Sequence, residues 1–288
     1  MSGFAQQVLD YHLGISVPIT HLGPVSGGDI NEAVRIDAAQ ERYFLKYNDA
    51  DRYPGMMESE ASGLDLLRKH SSFRIPEVLG YGILDGQQYL LLEWLDMGGS
   101  SMGAWEQSGH QLAELHAHSS DAFGLDMDNY IGRLPQSNKR HVRLSDFYRA
   151  ERLEPQLRMA RSNGLMGSSD ADNFQKLSAK LDELLPEDSP SLIHGDLWSG
   201  NISILRGDGV SIYDPAVYFG HGEQDLAMSR LFGRFPEVFY SAYEESGRLS
   251  PGWEERVELW NLYPLLVHLN LSGTSYLSSV RDVLNTYL

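Results

Sequence analysis

Short runs of alternating apolar and polar residues dominate the first third of the chain, and a period of two is typical of β-strands with one buried face. The alternation predicts strands on both sides of a glycine-containing turn at residues 25–36, and further strands at 43–47, 77–84 and 88–94. A helix is predicted before them, at the amino terminus. Residues 57–70 instead repeat their apolar positions every three or four residues, which predicts one main helix beside a five-stranded sheet.

The remainder of the chain is predicted to be mostly helical. Strand-like alternation stops at residues 95–99, where the sequence is LDMGG. We therefore predict two lobes, residues 1–95 and residues 96–288, with a hinge at residues 93–98. Residues 124–137 read as a long ordered loop. Helices of the second lobe are predicted at residues 104–118, 142–161, 171–185, 223–232, 236–243, 253–270 and 275–287.

A group of polar residues in the second lobe is framed by short apolar strands. Residues 191–201 read SLIHGDLWSGN, and residues 212–216 read IYDPA. Between them, strands are predicted at 202–205 and 210–213, joined by a Gly-Asp-Gly turn. This pattern predicts a hairpin with acidic residues close to one of its ends.

These polar residues have the intervals of the protein-kinase catalytic loop, H-R-D-x-x-x-x-N. His194, Asp196 and Asn201 keep those intervals, and Asp214 lies further along the same hairpin. A hydroxyl that attacks the γ-phosphoryl group of ATP must lose its proton, which makes Asp196 the candidate base. Mg²⁺ prefers oxygen ligands, which Asn201 and Asp214 can supply. The pattern predicts a phosphotransferase that uses ATP and Mg²⁺.

A plainer interpretation exists, because Gly, Asp and Pro all favour turns. Taken singly, HGD and DP indicate little more than a turn. Their order, and the hairpin pattern between them, favour the phosphotransferase.

Candidate nucleotide contacts lie in the first lobe. Gly27 and Gly28 allow the backbone to approach phosphate oxygens, although a Gly-Gly tip is usually only a turn. Lys46 lies on a half-buried strand and needs a partner. Glu60 on the predicted helix is the preferred partner and Glu58 the reserve. The alternative is a surface lysine beside two solvated acids.

The strand that ends at residue 94 leads to the predicted hinge. In a kinase-like protein the backbone of Glu93, Trp94 and Leu95 would meet the adenine edge, although these residues also read as a plain strand end. Taken together, the elements predict an α+β, two-lobed protein-kinase-like fold. Its first lobe is a small antiparallel β-sheet with one main helix, and its second lobe is larger and mostly helical.

Two signals in the second lobe are less specific. The three histidines of the helix predicted at 104–118 lack the spacing of a two-His, one-carboxylate metal site, and we interpret them as surface or core residues. Asp225 reads as a helix cap or, with His221 and Glu223, as part of the equivalent of a kinase activation segment.

Composition excludes several classes of partner. Hydrophobic residues make up 42% of the chain and charged residues 22%, as in ordinary soluble proteins. Forty acidic against 23 basic residues give a formal net charge of −17 and a pI near 4.9. This charge opposes binding to nucleic acid or to an anionic membrane. It also repels ATP, so local cations must offset it.

Other compositional features point to a cytoplasmic protein. The chain has no cysteine, hence no disulfide or thiolate metal site. Its amino terminus lacks the pattern of a secretory signal, and the longest apolar stretch, residues 259–271, is too short to span a bilayer. We expect no nucleic-acid or membrane partner, and the oligomeric state stays open.

Longer motifs resemble one family closely. Residues 194–201, HGDLWSGN, are similar to the fructosamine kinase (ketosamine 3-kinase) version of a motif shared with aminoglycoside and choline phosphotransferases. The segments SGGDIN, YIGRLPQSN, FYRAERLEPQL and DPAVYFGHGEQDLAMSRLFG are similar to that family as well. The resemblance covers nearly the whole chain.

The resemblance implies roles that agree with the chemical interpretation. Asp196 accepts the proton, Asn201 and Asp214 hold Mg²⁺, and Lys46, with Glu60 as its partner, contacts the phosphates. It implies ATP-dependent phosphorylation of the third carbon of the sugar in fructosamine or ribulosamine adducts of amines and protein lysines. The phosphorylated adduct then falls apart, which amounts to deglycation.

Two positions near the motif concern the substrate side. Trp198 can stack on the sugar or on its amine, although a tryptophan in a kinase core more often packs. His194 is a second candidate. The chain departs from several relatives at Asp29, where they have cysteine, so thiol-based regulation is not expected. An acid there also makes a close phosphate contact less favourable.

Two other functions stay open at this point. One keeps the fold but takes an aminoglycoside, choline, homoserine or another small hydroxyl compound as acceptor. The other is a kinase-like scaffold without catalysis, against which the retention of Lys46, Asp196, Asn201 and Asp214 argues.

Overall fold

The first part of the chain forms the predicted sheet. The computed structural model describes residues 2–14, 17–25, 31–207 and 209–288. Its first elements are α1 (Ser2–Leu13), β1 (Ile19–Pro24), β2 (Glu32–Ala38), β3 (Glu41–Asp49), α2 (Met56–His70), β4 (Val78–Leu84) and β5 (Gln87–Glu93). The five strands are antiparallel in the order β1-β2-β3-β5-β4. This agrees with the α+β prediction, including its one main helix.

The two faces of this sheet have different partners, because alternate residues of a strand point to opposite sides. Leu45 and Tyr47 of β3 are buried with Val8 and Leu9 of α1. Lys46, between them in sequence, points to the other face, where it meets α2. Strand alternation therefore directs one buried cation towards α2.

Helices and short hairpins form the rest of the chain. The ends of the predicted helices agree with these elements to within about one turn. The elements are α3 (Met102–Leu115), β6 (Asn129–Ile131), β7 (Leu134–Gln136), α4 (Leu144–Phe147), a π-helical turn (Tyr148–Leu153), α5 (Glu154–Ser162), α6 (Ser168–Leu184), β8 (Ser191–Ile193), β9 (Ile202–Ile204), β10 (Val210–Ile212), β11 (Tyr218–Gly220), α7 (Glu223–Leu231), α8 (Glu237–Glu244), α9 (Trp253–Ser272), a 3₁₀ turn (Thr274–Tyr276) and α10 (Leu277–Tyr287).

The chain divides into two units. The first comprises Met1–Ala104 with Gly200–Pro215, and the second comprises Trp105–Ser199 with Ala216–Leu288. In the first unit, the main-chain N–H groups of Gly98 and Gly99 donate to the carbonyl of Ile204 in β9, at 3.1 and 2.9 Å. These bonds attach the hairpin β9–β10 to the segment that follows the sheet. The division into lobes at residues 95 and 96 stays a prediction.

One expectation about the second unit was wrong. Residues 124–137, predicted as a long loop, contain the antiparallel hairpin β6–β7. Each of its strands has three residues, too few for alternation to be visible in the sequence. The loop prediction therefore missed an ordered element.

The long helix α9 passes through the core of the second unit, where Leu259, Leu262 and Leu266 are fully buried. Pro264 lies inside it and lacks the N–H that would bond to Trp260. The Tyr148 hydroxyl compensates, because it donates to the carbonyl of Leu259 at 2.7 Å and lies 3.2 Å from that of Trp260. Among the described residues, neither α9 nor another helix has the length and apolar character needed to cross a membrane.

The close contact of α3 with α8 predicts a steric effect. A Cβ added at Gly109 would lie 2.2 Å from the carbonyl oxygen of Phe239, so Gly109→Ala should lower the free energy of unfolding by about 1–3 kcal/mol. Gly103→Ala in the first turn of the same helix is the control, because its nearest neighbour is a serine hydroxyl at 3.7 Å. It should stabilise by about 0.5–1 kcal/mol. Urea unfolding measures both, and equal midpoints would contradict the packing argument.

Candidate active site

Main-chain pairing in the second unit holds the loop that carries Asp196. Strands β8 and β11 are paired, and beyond them the N–H of Ala216 donates to the carbonyl of His194 at 3.0 Å. Gly195 has a φ of 82°, and a Cβ there would lie 2.1 Å from the Ala216 carbonyl oxygen. No side chain fits at this position. Glycine precedes the candidate base because the two segments approach so closely.

A buried carboxylate of α7 holds the same loop. Asp225 is 1% exposed, and its two oxygens accept hydrogen bonds from the N–H groups of His194 and Gly195, at 2.7 and 2.9 Å. His116 lies 3.2 Å from this carboxylate and 2.8 Å from the Tyr243 hydroxyl. The sequence analysis gave Asp225 two possible roles, a helix cap or part of an activation segment, and did not predict its hydrogen bonds to His194 and Gly195. A signal existed, since an acid on a buried helix face needs partners.

The histidines of α3 and the turn after it do not form a metal site. His116 is 2% exposed and bonded within the core, which agrees with the prediction of a core or surface histidine. Across the described ranges, no group of three or more His, Cys, Asp or Glu side chains is arranged to hold a metal ion. A divalent ion in this protein would therefore need other oxygen donors as well.

In the first unit, Lys46 lies between two carboxylates. Its ammonium is 2.9 Å from Glu60 and 2.8 Å from Asp214. Burial alone would lower the pKa of Lys46, but the two carboxylates outweigh it and raise that pKa, so the cation persists. Burial also raises the pKa of Glu60, against the opposing effect of Lys46. The structure thus brings together Lys46 and the preferred partner Glu60, while Glu58 is exposed.

Asn201 and Asp214 lie at the same end of the hairpin β9–β10. The N–H of Tyr213 donates to the carbonyl of Asn201 at 3.1 Å, and the Asn201 amide nitrogen is 3.5 Å from the Asp214 carbonyl. Asp214 has a φ of 55°, a strained conformation that recurs at functional sites. Two hard oxygen donors, one amide and one carboxylate, fit the ligand preference of Mg²⁺.

The predicted phosphate-contacting residues cannot be compared with the structure. Gly27, Gly28 and Asp29 lie outside the described residues, as does Asp208 of the predicted Gly-Asp-Gly turn. The strands on both sides of residues 26–30 are paired, since the N–H of Val25 donates to the carbonyl of Ala33 at 2.9 Å. The contact of Gly27 and Gly28 with phosphate stays a prediction.

The predicted adenine-side segment is tightly built into the sheet. The N–H groups of Glu93 and Trp94 donate to the carbonyls of Glu77 and Arg42, at 3.0 and 3.2 Å. The carboxylate of Glu93 accepts from the Glu77 N–H at 2.6 Å and pairs with Arg74. These two N–H groups are therefore used by the protein itself, and an adenine contact would have to come from other backbone groups near Leu95.

The sequence interpretation missed an aromatic residue beside this segment. Phe44 lies two residues before Lys46 on β3 and so faces the same side of the sheet. Its ring centroid is 6.4 Å from that of Trp94, and the Arg35 guanidinium lies 5.2 Å from the Trp94 ring. The period of two along β3 was the signal that could have identified Phe44.

Further along the loop that carries Asp196, Trp198 belongs to a cluster of four half-buried aromatic rings. Its centroid is 6.2 Å from Phe232, which is 4.5 Å from His268, and His268 is 5.1 Å from Tyr276. Burial lowers the pKa of His268, which favours its neutral form. We call Trp198, Phe232, His268 and Tyr276 the aromatic wall. The sequence identified its first member only.

His194 occupies a different place from the substrate-facing one that was expected. Its side chain is fully buried, and its Nδ1 accepts the N–H of Asp196 at 3.3 Å. The imidazole therefore holds the backbone of the loop through this hydrogen bond. Trp198, in contrast, is only half-buried.

Comparison with known proteins gives consistent matches along the whole chain. A sequence model of the fructosamine kinase family matches residues 1–288. A Synechocystis protein named "probable ketoamine kinase" is 39% identical over 265 residues, covering 92% of this chain and 89% of that protein. The chloroplastic protein-ribulosamine 3-kinase of Arabidopsis thaliana is 37% identical, with 96% and 85% covered.

Solved structures share the fold. A crystal structure from Thermobifida fusca, provisionally described as a fructosamine-3-kinase, has a TM-score of 0.88 at 33% identity, covering 98% of this chain and 97% of that one. An aminoglycoside phosphotransferase has a TM-score of 0.66 at 15% identity over the whole of both chains. The predicted protein-kinase-like α+β fold is confirmed.

The buried ion pair predicts a test of stability. Lys46→Met leaves the Glu60 carboxylate buried without its cation, and the free energy of unfolding should fall by about 3–5 kcal/mol. Adding Glu60→Gln should restore much of it. In the single variant the pKa of Glu60 in the folded state lies above its unfolded value, so the deficit should shrink as the pH is lowered from neutral.

Urea unfolding at several pH values measures these changes. Lys69→Met, which alters an exposed lysine of α2, the helix that carries Glu60, is the control and should shift stability by less than about 0.5 kcal/mol. Similar midpoints for Lys46→Met and Lys69→Met would show that the ion pair does not stabilise the first unit.

Proposed function

The chain belongs to the fructosamine kinase family, and we propose that it transfers the γ-phosphoryl group of ATP to a sugar hydroxyl of a ketosamine, a ketose whose first carbon carries an amine. The observation that carries this proposal is the match to the family along residues 1–288. The relatives named ketoamine kinase and protein-ribulosamine 3-kinase support the acceptor class.

The base in this proposal is Asp196. Its position is set by the hydrogen bonds of His194 and Gly195 to Asp225, so the carboxylate needs little reorganisation when the acceptor arrives. It takes the proton of the attacking hydroxyl as the oxygen–phosphorus bond forms and the bond to ADP breaks.

The first unit supplies the groups for the phosphates. Lys46, held by Glu60 and Asp214, offsets negative charge in a chain whose net charge is −17. Asn201 and Asp214 would hold Mg²⁺, which when bound neutralises charge on the phosphate oxygens. Gly27 and Gly28 would approach the phosphates through their backbone.

The adenine side of the proposed site involves the end of β5. The N–H groups of Glu93 and Trp94 are bonded inside the sheet. We therefore expect the adenine ring to form hydrogen bonds with backbone groups around Leu95 and to pack against Phe44. An aromatic ring offers a flat apolar surface to a purine.

The aromatic wall fits the amine part of a ketosamine. The secondary amine of such an adduct is protonated near neutral pH, and aromatic faces attract cations. His268 is held neutral by burial, which lowers its pKa, so it does not repel that cation. Trp198, next but one after the base, is the member that we expect to touch the substrate.

The third carbon of the sugar is the proposed phosphorylation position, on either a fructosyl or a ribulosyl adduct. Enolisation of the ketone towards the amine-bearing carbon makes a phosphate on the third carbon allylic and a good leaving group. Inorganic phosphate would then leave, and water would hydrolyse the resulting imine at the first carbon and release the amine, which is deglycation. An aminoglycoside or choline acceptor has weaker support, because that likeness, at 15% identity, concerns the fold alone.

A panel of acceptors tests this function. Fructosyl-lysine, ribulosyl-lysine, kanamycin and choline are each supplied with ATP and Mg²⁺, ADP release is measured, and NMR locates the phosphate. We expect phosphate on the third carbon of a ketosamine. Asp196→Asn should lower kcat by about 10²–10⁴ with unchanged ATP binding, whereas Asp126→Asn, an exposed acid of the same unit, should leave kcat unchanged. Phosphorylation of kanamycin or choline alone would refute the ketosamine assignment.

The role of the aromatic wall predicts a specific kinetic change. Trp198→Ala should raise KM for the ketosamine about tenfold, equivalent to about 1.4 kcal/mol of lost cation and stacking contact, and leave KM for ATP unchanged. Trp253→Ala is the matched control, since Trp253 is also half-buried in the second unit and stacks with Arg230 at 4.2 Å. If both variants have the same ketosamine KM, Trp198 does not bind the acceptor.

A further inference from the structure

A buried polar network in the second unit leads from the β6–β7 hairpin to the segment that follows Asp214. Five side chains form it, and each is at least nine-tenths buried: Asn129, Gln136, Asn138, Arg152 and Tyr263. None of these residues has a role in the function proposed above. The network needs an explanation, because burying this many polar groups costs free energy unless they are fully paired.

One end of the network holds two main-chain carbonyls. The Asn129 amide donates to the carbonyl of Val217 at 2.8 Å, and the Gln136 amide nitrogen lies 3.3 Å from the carbonyl of Ala216. Gln136 also donates to the Asn129 amide oxygen at 2.8 Å. The hairpin β6–β7, which was predicted as a loop, thus holds the carbonyls of Ala216 and Val217 in place.

Ala216 is also paired with the loop that carries Asp196, which we call the base loop. The N–H of Ala216 donates to the carbonyl of His194, and the Ala216 carbonyl faces Gly195 so closely that a Cβ there would lie 2.1 Å away. A shift of Ala216 must therefore move the residues immediately before Asp196. This makes the segment a mechanical link between the hairpin and the base loop.

The other end of the network fixes the orientation of the amides. The Tyr263 hydroxyl donates to the Gln136 amide oxygen at 2.6 Å, so the amide nitrogen must face Asn129 and Ala216. Arg152 donates to the Asn138 amide oxygen at 2.6 Å, and Asn138 donates to Asn129 at 3.0 Å. Every amide thus has a defined direction.

We propose that Gln136 and Asn129 are positioning residues for phosphoryl transfer: they fix the carbonyls of Ala216 and Val217, and through these the loop that carries Asp196. This inference rests on the proposed role of Asp196 as the base. Apolar side chains of equal volume would fill the same space and stabilise the fold as well. What the polar network adds is a single orientation of residues 216 and 217.

Gln136→Met tests the inference, because methionine keeps the volume and removes the hydrogen bonds. Misplacing a catalytic group by about 1 Å can cost about 10²-fold in rate, so we expect kcat for the ketosamine to fall about 10–100-fold, with KM for ATP unchanged. Tyr263→Phe, which removes only the hydroxyl donor, should lower kcat less, and it serves as the second variant if Gln136→Met folds poorly.

Gln156→Met is the matched control. Gln156 of α5 is also 2% exposed in the second unit, and its amide oxygen accepts from Asn270 at 2.8 Å. Both methionine variants lose buried hydrogen bonds and should lose similar stability, but Gln156→Met should keep its kcat. Equal kcat values for the two variants would overturn the inference.

Hydrogen exchange of main-chain amides provides a readout that does not depend on the substrate. Peptides that contain residues 193–196 and 216–218 should exchange faster in Gln136→Met than in Gln156→Met. If the parent protein phosphorylates no ketosamine but this difference appears, the proposed function fails and the link to the loop stands. If the parent is active and neither exchange nor kcat differs between the variants, the link fails alone.

Discussion

The carboxylate of Asp225 is the constraint on which the base loop depends. Hydrogen bonds from N–H groups to a charged acceptor are stronger than neutral ones, and Asp225 accepts two of them from adjacent residues, His194 and Gly195. Its burial makes these bonds obligatory, since an unpaired buried carboxylate is very costly. The close approach of Gly195 to Ala216 fixes the loop from its other side. The backbone immediately before Asp196 is therefore held on both sides by the protein itself.

The first unit holds the buried cation that the proposed nucleotide site needs. A chain with 40 acidic and 23 basic residues repels phosphate in general, so a cation at the site has to be protected from neutralisation and from solvent. The sheet achieves this by directing Lys46 towards α2, where Glu60 keeps it charged. The second carboxylate, Asp214, is 46% exposed, and so remains accessible while its partners are buried.

Much of this could be predicted from the sequence because the signals are local. The alternation along β3 fixes the face of Lys46, the kinase pattern favours Glu60 as its partner over Glu58, and the interval from His194 to Asn201 matches that of a kinase catalytic loop. The misses are contacts between distant segments. Asp225 is about thirty residues from the groups it binds, and nothing in its immediate sequence names them. The hairpin β6–β7 was not predicted, because strands of three residues are too short to show a period of two. The burial of His194 depends on the pairing of β8 with β11, which are about 25 residues apart in sequence.

The aromatic wall has a consequence for how this protein can change. Trp198, Phe232, His268 and Tyr276 come from four separate stretches of the second unit: the loop after β8, the residue after α7, the second half of α9 and the 3₁₀ turn. Asp225 and Gln136 are almost fully buried and are not among them. With the aromatic wall as the proposed acceptor contact, new acceptor preferences can be selected in a library by varying four codons while Asp225 and Gln136 are left unchanged. Modularity of this kind is one physical reason why a single scaffold can serve many small-molecule kinases.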